Sequence, residues 1–279
     1  MRIDSHQHFW RYDAAAYGWI TDEMASLKRD FLPADLKPLL DGIGFDGSIA
    51  VQALHSVDET RWLLDLADTN EFIRGVVGWV DLCSPDAPRQ LEQLAGNRKL
   101  VGIRHVAQAE PDDEFLLRPD FCRGIAQLKQ LGLAYDLLVY PRHLRAAASL
   151  AYRFPEQRFV LDHIAKPLIA TQVMAPWDND VRALARFPNV SCKLSGMVTE
   201  ARWKQWRRQD FYPYLDTVLE VFGPSRLMIG SDWPVCTLSA EYSEAMAIVM
   251  EYIGKLPALD QDAILGGNCA SFYRLRMAV

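Results

Sequence analysis

This sequence predicts a closed barrel of eight parallel β-strands, each followed by a helix, and three observations carry the prediction. Eight short apolar runs recur along the chain, helix-type segments separate them, and the 279 residues match the usual size of one such (β/α)8 (TIM) barrel. The runs are Arg2–His6, Gly47–Gln52, Ile73–Val80, Val101–His105, Leu133–Val139, Phe159–His163, Asn189–Leu194 and Leu227–Ser231. Most are continuously apolar rather than alternating, as strands covered on both faces must be. Strand and helix alternate eight times, which argues for a parallel sheet, and eight units favour closure over an open sheet. No Ser/Gly tract, charge block or low-complexity run offers a linker, so residues 1–279 read as one domain.

The segments between the runs carry helix signals. Ser56 followed by Glu59 forms a capping-box pattern ahead of Arg61–Ala67. Ser84 and Pro85 open a helix through Leu94, and Gly96 ends it. Pro141 opens an alanine-rich helix that stops before Pro155. Pro213 leads a helix to Val221, terminated by Gly223 and Pro224. One connection is long. It covers about residues 9–33 and carries Phe9, Trp10, Tyr12, Tyr17, Trp19 and Phe31. Following the first strand, it belongs at the catalytic face of a barrel, and its aromatic content argues against disorder.

Composition excludes several function classes. The net charge is −6 with both signs spread along the chain, which suits neither a phosphate backbone nor an anionic membrane surface. The richest basic stretch, Arg202 to Arg208, interleaves Trp203, Lys204 and Trp206 and reads as a solvated amphipathic segment. Five cysteines, an odd number without a CxxC pair, point to a reducing cytoplasm and no disulfide framework. The N-terminus has no apolar signal region, and no stretch approaches the roughly 20 apolar residues that span a bilayer. The expectation is a soluble cytoplasmic protein with a small-molecule substrate and neither nucleic acid nor membrane as partner; a homo-oligomer remains compatible with the sequence.

Polar side chains cluster at the ends of three runs, where a barrel of this type builds its active site. His6 and His8 end the first. Residues two apart in a strand point the same way, so both imidazoles can enter the barrel mouth, although the pair alone equally fits two surface histidines. Asp162 and His163 end the sixth, and alternation sends one inward and the other to the helix layer. Asp232 follows the eighth. A carboxylate there needs a partner or water, and capping the segment that begins at Pro234 is its simplest other use.

Together these motifs resemble the amidohydrolase superfamily, in particular its branch of metal-independent sugar and pyrone lactonases, which includes L-fuconolactone and L-rhamnonolactone hydrolases. The resemblance runs through Asp4-Ser5-His6-Gln7-His8-Phe9-Trp10, Gly102-Ile103-Arg104-His105, Leu161-Asp162-His163 with Lys166-Pro167, Lys193-Leu194-Ser195-Gly196, Gly230-Ser231-Asp232-Trp233-Pro234 and the closing Gly267-Asn268-Cys269-Ala270. One departure bears on the chemistry. Metal-dependent members add a histidine at strand five, and binuclear members also need a carboxylated lysine or a glutamate at strand four. Here strand five ends Tyr135-Asp136-Leu137-Leu138-Val139, and strand four ends in Arg104 and His105. A two-metal site is not expected. His6, His8 and Asp232 could hold one zinc as an open three-ligand site, not essential to the chemistry.

The resemblance implies hydrolysis of a sugar lactone, in carbohydrate metabolism such as L-fucose catabolism. Asp232 is the expected base that activates water, and His6, His8 and His163 the expected donors to the carbonyl oxygen. Arg104, Gln52, His55, Trp79 and Lys193 are candidate pocket residues, with Trp10 and Trp19 as a stacking wall. For Arg104 a salt bridge across the mouth, for Lys193 and Ser195 support from behind the site, and for the tryptophans ordinary packing are the plainer alternatives. Arg104 is the one clear arginine at a strand end, which favours a neutral sugar lactone over a dicarboxylate. The rival functions are a zinc-dependent decarboxylase or amide hydrolase on the same barrel, and a barrel that binds sugar acids without turning them over.

Overall fold

A computed structural model describes residues 1–275. Eight parallel strands follow one another around a barrel in chain order: β1 (Ile3–Gln7), β2 (Gly47–Val51), β3 (Ile73–Gly78), β4 (Leu100–His105), β5 (Ala134–Leu137), β6 (Phe159–Leu161), β7 (Val190–Leu194) and β8 (Leu227–Ile229). Every run expected from the sequence contains a strand, several of them shorter than expected, with β6 ending at Leu161 and β8 at Ile229. The helices are α1 (Pro33–Gly42), α2 (Val57–Thr69), α3 (Ala87–Ala95), α4 (Pro119–Leu128), α5 (Leu144–Arg153), α6 (Trp177–Ala185), the one-turn α7 (Met197–Glu200), α8 (Tyr212–Phe222), α9 (Tyr242–Ile253), α10 (Ala258–Asp262) and α11 (Asn268–Phe272). No helix among the described residues is long and apolar enough to cross a membrane, and the five cysteines are unpaired.

Local chemistry sets the helix ends. Ser56 Oγ accepts from the Glu59 N–H as a capping box requires. The Glu59 carboxylate does not reach back to Ser56; it accepts instead from the N–H groups of Ala53 and Leu54, pinning the loop after β2. Pro141 opens a short 3₁₀ turn before α5, and Gly223 closes α8 at φ +67°, a left-handed turn that glycine adopts without strain. In the basic stretch Trp203 and Trp206 both donate inward, to Thr199 O and to Ser239.

Two apolar layers hold the barrel. The larger lies between strands and helices and takes in Phe9, Trp10 and Phe31 of the long first loop. The smaller fills the interior with one or two residues from each strand except β7, among them Ile3, Ile49, Val77, Val101, Val160 and Met228, and Cys269 and Tyr273 of the C-terminal segment join it. Above this apolar floor the interior is polar. Closure between β1 and β8 is not a continuous ladder. The Asp232 N–H donates to His6 O (2.8 Å), the His8 N–H to Trp233 O (2.7 Å), and the Asp4 carboxylate accepts from the Ser231 N–H (2.9 Å) and Ser231 Oγ (2.6 Å).

Candidate active site

The site begins with a β-bulge. Between Asp4 and Gln7, β1 advances three residues while β2 advances two, Ser48 to Ala50. The extra residue resets alternation. Ile3 packs in the apolar interior layer, and His6 and His8, both buried, still turn inward above it. Gly230 of the neighbouring strand end makes room, since a Cβ there would lie 2.9 Å from the His6 Cβ.

After Leu161 the chain leaves β6 for a single left-handed turn. His163, Ile164, Ala165 and Lys166 take φ values of +54°, +48°, +62° and +49°, each costly for a residue with a Cβ. This corrects the alternation argument for strand six. Asp162 and His163 are not on opposite faces: both are buried toward the polar interior, because the strand has ended and alternation no longer applies. Packing holds the turn in place. The Trp177 indole N–H donates to Ile164 O at 2.7 Å, and Gly196, at φ +61°, lies so close under His163 that a Cβ would come 2.4 Å from its Nδ1.

Asp232, also at positive φ (+59°), brings its carboxylate into the middle of the imidazoles. Its Oδ1 lies 3.3 Å from His8 Nε2 and 3.8 Å from the Nε2 atoms of both His6 and His163. Each imidazole is steered from behind. His8 Nδ1 is 2.8 Å from Val51 O and must donate to it, so His8 presents an N–H at Nε2 only when it is protonated. His6 Nδ1 receives the Lys193 ammonium at 3.2 Å, which favours the proton on Nε2, although Arg104 Nη1 also sits 3.3 Å from that atom. His163 Nδ1 pairs with Ser195 Oγ at 2.9 Å. Burial drives His6 and His163 far below the usual imidazole pKa. Burial also pushes the Asp232 carboxyl up, but His163, His8 and Lys166 together hold it below the usual carboxylate range.

Beneath this cluster, three candidate pocket residues serve the barrel wall. Arg104 is 3 % exposed. Four of its five N–H groups are engaged, Nε and Nη2 with Gln52 Oε1 and O and Nη1 with Asp162 Oδ2, while His6 Nε2 lies 3.3 Å from Nη1. Gln52, fully buried, spends its oxygen on Arg104 and its amide nitrogen on Leu54 O. Lys193, also fully buried, lies 2.5 Å from Asp136 Oδ2 and 3.0 Å from Asp162 Oδ1, and Tyr273 O–H donates to the same Asp136 oxygen at 2.7 Å. The structure thus places Arg104, Gln52 and Lys193 below the imidazoles, bound to one another or to neighbours in the barrel wall. Nearly all their donors are spent and they are walled from solvent.

The aromatic candidates divide. Trp10 is fully buried, donates to Arg29 O and packs edge-on against Phe31 and Trp19, so it is core of the first loop rather than pocket wall. Trp19 is 40 % exposed. His55 stacks between Trp79 (5.3 Å between ring centroids) and His105 (4.2 Å), and Trp79 Nε1–H donates to His105 Nδ1, forming a ladder at the ends of β2, β3 and β4. Two polar side chains at the mouth escaped sequence reasoning as site residues. Lys166 leaves the left-handed turn, and Glu200 of α7 faces it at 3.8 Å. Lys166 was visible only as part of a motif, and nothing in its spacing marked it.

The donor set fits one divalent cation. His8 Nε2, as a lone pair, faces Asp232 Oδ1, and two acceptors at 3.3 Å repel unless a proton or a cation lies between them. His6, His8 and Asp232 can converge on one ion. The alternative set of His6, Asp162 and His163 is disfavoured, because Asp162 is already held by Arg104 and Lys193.

An eight-stranded barrel that gathers imidazoles and one carboxylate at the C-terminal ends of strands one, six and eight is an amidohydrolase-type barrel. The chain belongs to the amidohydrolase family: the family's sequence profile, described as Amidohydrolase, matches residues 3–275. It is 43 % identical to an L-fucono-1,5-lactonase of Burkholderia multivorans, over 99 % of this chain and 96 % of that one. It is 40 % identical to an L-fucono-1,5-lactonase of Burkholderia ambifaria, over 98 % and 96 %. A crystal structure of a Burkholderia multivorans amidohydrolase with bound zinc superposes with a TM-score of 0.94 at 44 % identity, covering 99 % of this chain and all of that one.

Proposed function

We propose that this enzyme hydrolyses a neutral sugar lactone of the L-fucono-1,5-lactone kind to the open sugar acid. The observation that carries the reading is the convergence of three imidazoles on the Asp232 carboxylate, in a mouth where Arg104 and Lys193 are already spent. Two relatives named L-fucono-1,5-lactonase, alike along nearly the whole of both chains, support the substrate class. L-Rhamnonolactone remains the second choice, supported by a distant relative.

In the reaction, water attacks the lactone carbonyl carbon and gives its proton to Asp232, ionised because its carboxyl is held low. The N–H on His6 Nε2 and the Nε2 face of His163 polarise the carbonyl oxygen, joined by His8 in its protonated form. The tetrahedral intermediate then breaks its bond to the ring oxygen, and Asp232 returns the proton to that alkoxide. One hydroxyl and one carboxylic acid result, so atoms and protons balance. A divalent ion on His6, His8 and Asp232 would supply Lewis-acid polarisation of the carbonyl when bound. We propose that turnover does not require it, since a lactone is an activated ester whose oxyanion the imidazoles already address.

A pH-indicator screen of sugar lactones, run before and after exhaustive chelation, tests both halves. We expect turnover of an L-fucono- or L-rhamnono-type lactone that survives chelation. Turnover of no lactone would end the functional reading, and activity lost with the metal and regained with zinc would end the metal-independent one.

A further inference from the structure

We propose that Lys166 is a catalytic residue: its ammonium meets the oxygen that becomes negatively charged when the lactone carbonyl is attacked, and Glu200 tethers it there. The proposal rests on the lactonase reading and adds a group to its site.

The left-handed turn carries the argument. Residues three apart on a helical turn of either hand lie on one face, so Lys166 shares the face of His163 while Ile164 and Ala165 between them are completely buried on the other. Four successive residues with a Cβ hold positive φ. Such strain persists where the surroundings over-determine it and clusters at functional sites. Glycine at Lys166 would relax the backbone there and leave the buried Ile164 and Ala165 in place.

Cation accounting points the same way. The barrel interior holds two other cationic side chains near the imidazoles, and both are saturated by carboxylates and amide oxygens. Lys166 differs. It is mostly buried, with side-chain exposure of 17 %. Its neighbours are Glu200 Oε1 at 3.8 Å, beyond hydrogen-bond reach, and the Tyr140 ring at 5.7 Å. Its ammonium has no hydrogen-bond acceptor within reach among the described residues. An ammonium so placed costs desolvation in the resting enzyme and recovers it against a charge that develops in the transition state. Its field reaches the reacting groups, as the lowered pKa values of His6 and Asp232 both include it.

The test compares Lys166→Met, Lys166→Gly and Lys166→Arg with wild type on the lactone that wild type hydrolyses, together with thermal melting of each. Loss of one preorganised oxyanion donor costs roughly 100-fold in kcat, so Lys166→Met should lose about that factor with KM nearly unchanged, and Lys166→Arg should recover part of it. Lys166→Gly should melt at or above the wild-type temperature and yet be as slow as Lys166→Met, which a purely structural lysine would not produce. Wild-type kcat in a folded Lys166→Gly or Lys166→Met protein overturns the role of Lys166. A loss confined to KM overturns it as well, making Lys166 a ground-state binder. If wild type hydrolyses no lactone, the lactonase reading fails, and that outcome is separate from any ranking of the variants.

Discussion

Two polar layers sit one above the other in this barrel, and they treat charge in opposite ways. In the lower layer Arg104, Gln52, Asp136, Asp162, Lys193 and Tyr273 bind one another until the cationic donors are exhausted. In the upper layer Asp232 stands at 3.3–3.8 Å from three imidazoles, distances too long for short, strong hydrogen bonds, and Lys166 has no acceptor within reach. The lower layer is saturated and therefore rigid. The upper is short of partners and therefore reactive. A histidine spans the two: His6 takes Lys193 on one nitrogen and faces Asp232 with the other. The difference separates charges that are matched to one another from charges left with few partners, which is where the proposed chemistry is placed.

The comparison breaks most sharply at Asp232. Asp232→Asn keeps the shape but removes the proposed base, and we expect a loss of roughly 1000-fold in kcat with a melting temperature close to wild type, within the about 100- to 10,000-fold that a positioned general base contributes. Near-wild-type turnover in the folded variant would reassign the base. In the lower layer the balance should invert. Lys193→Met leaves Asp136 and Asp162 buried with one cation fewer, and breaking such a buried pair costs about 3–5 kcal/mol, so unfolding in urea should show a large loss of stability before any kinetic effect is considered. A Lys193→Met protein as stable as wild type would show that the lower layer is not what holds the site.

The smallest effect sharpens the comparison from outside both layers. Burial raises the Glu59 carboxyl from 4.5 to about 7. The folded protein therefore binds a proton that the unfolded chain has released, and this contribution to stability is complete below about pH 4.5 and lost as pH rises through about 7. Thermal melting of Glu59→Gln across that window should fall less steeply than wild type. Parallel curves would mean that Glu59 titrates normally.

Much of this was legible in the sequence, for reasons that can be named. The strands announce themselves because parallel strands buried on both faces must be continuously apolar. His6, His8, His163 and Asp232 stood out as candidates because this architecture places chemistry at strand ends, and the structure brings them together around the Asp232 carboxylate. What escaped depends on backbone conformation or on competition for donors. Alternation failed at Asp162 and His163 because four residues that favour the right-handed region are forced into the left-handed one, and propensity gives no warning of that. Arg104 at a strand end looked like a substrate clamp, and only the positions of Gln52 and Asp162 reveal that its fork is filled. Glu59 fitted a capping box, but the loop at Ala53 and Leu54 claims its carboxylate.

The stitch between Asp4 and Ser231 has a kinetic consequence. The two residues are 227 positions apart, and the Asp232 N–H closes onto His6 O in the same place. On the ribosome the first strand emerges early and waits for nearly the whole chain before its partner exists. Until then Asp232 and the imidazoles of His6 and His8 belong to distant parts of an open chain, and non-local contacts of that span form slowly. Under the proposed mechanism, activity therefore requires that β1 and the end of β8 have met. A truncated or stalled chain would carry His6 and His8 without the carboxylate that turns them into an active site, and activity should report barrel closure itself.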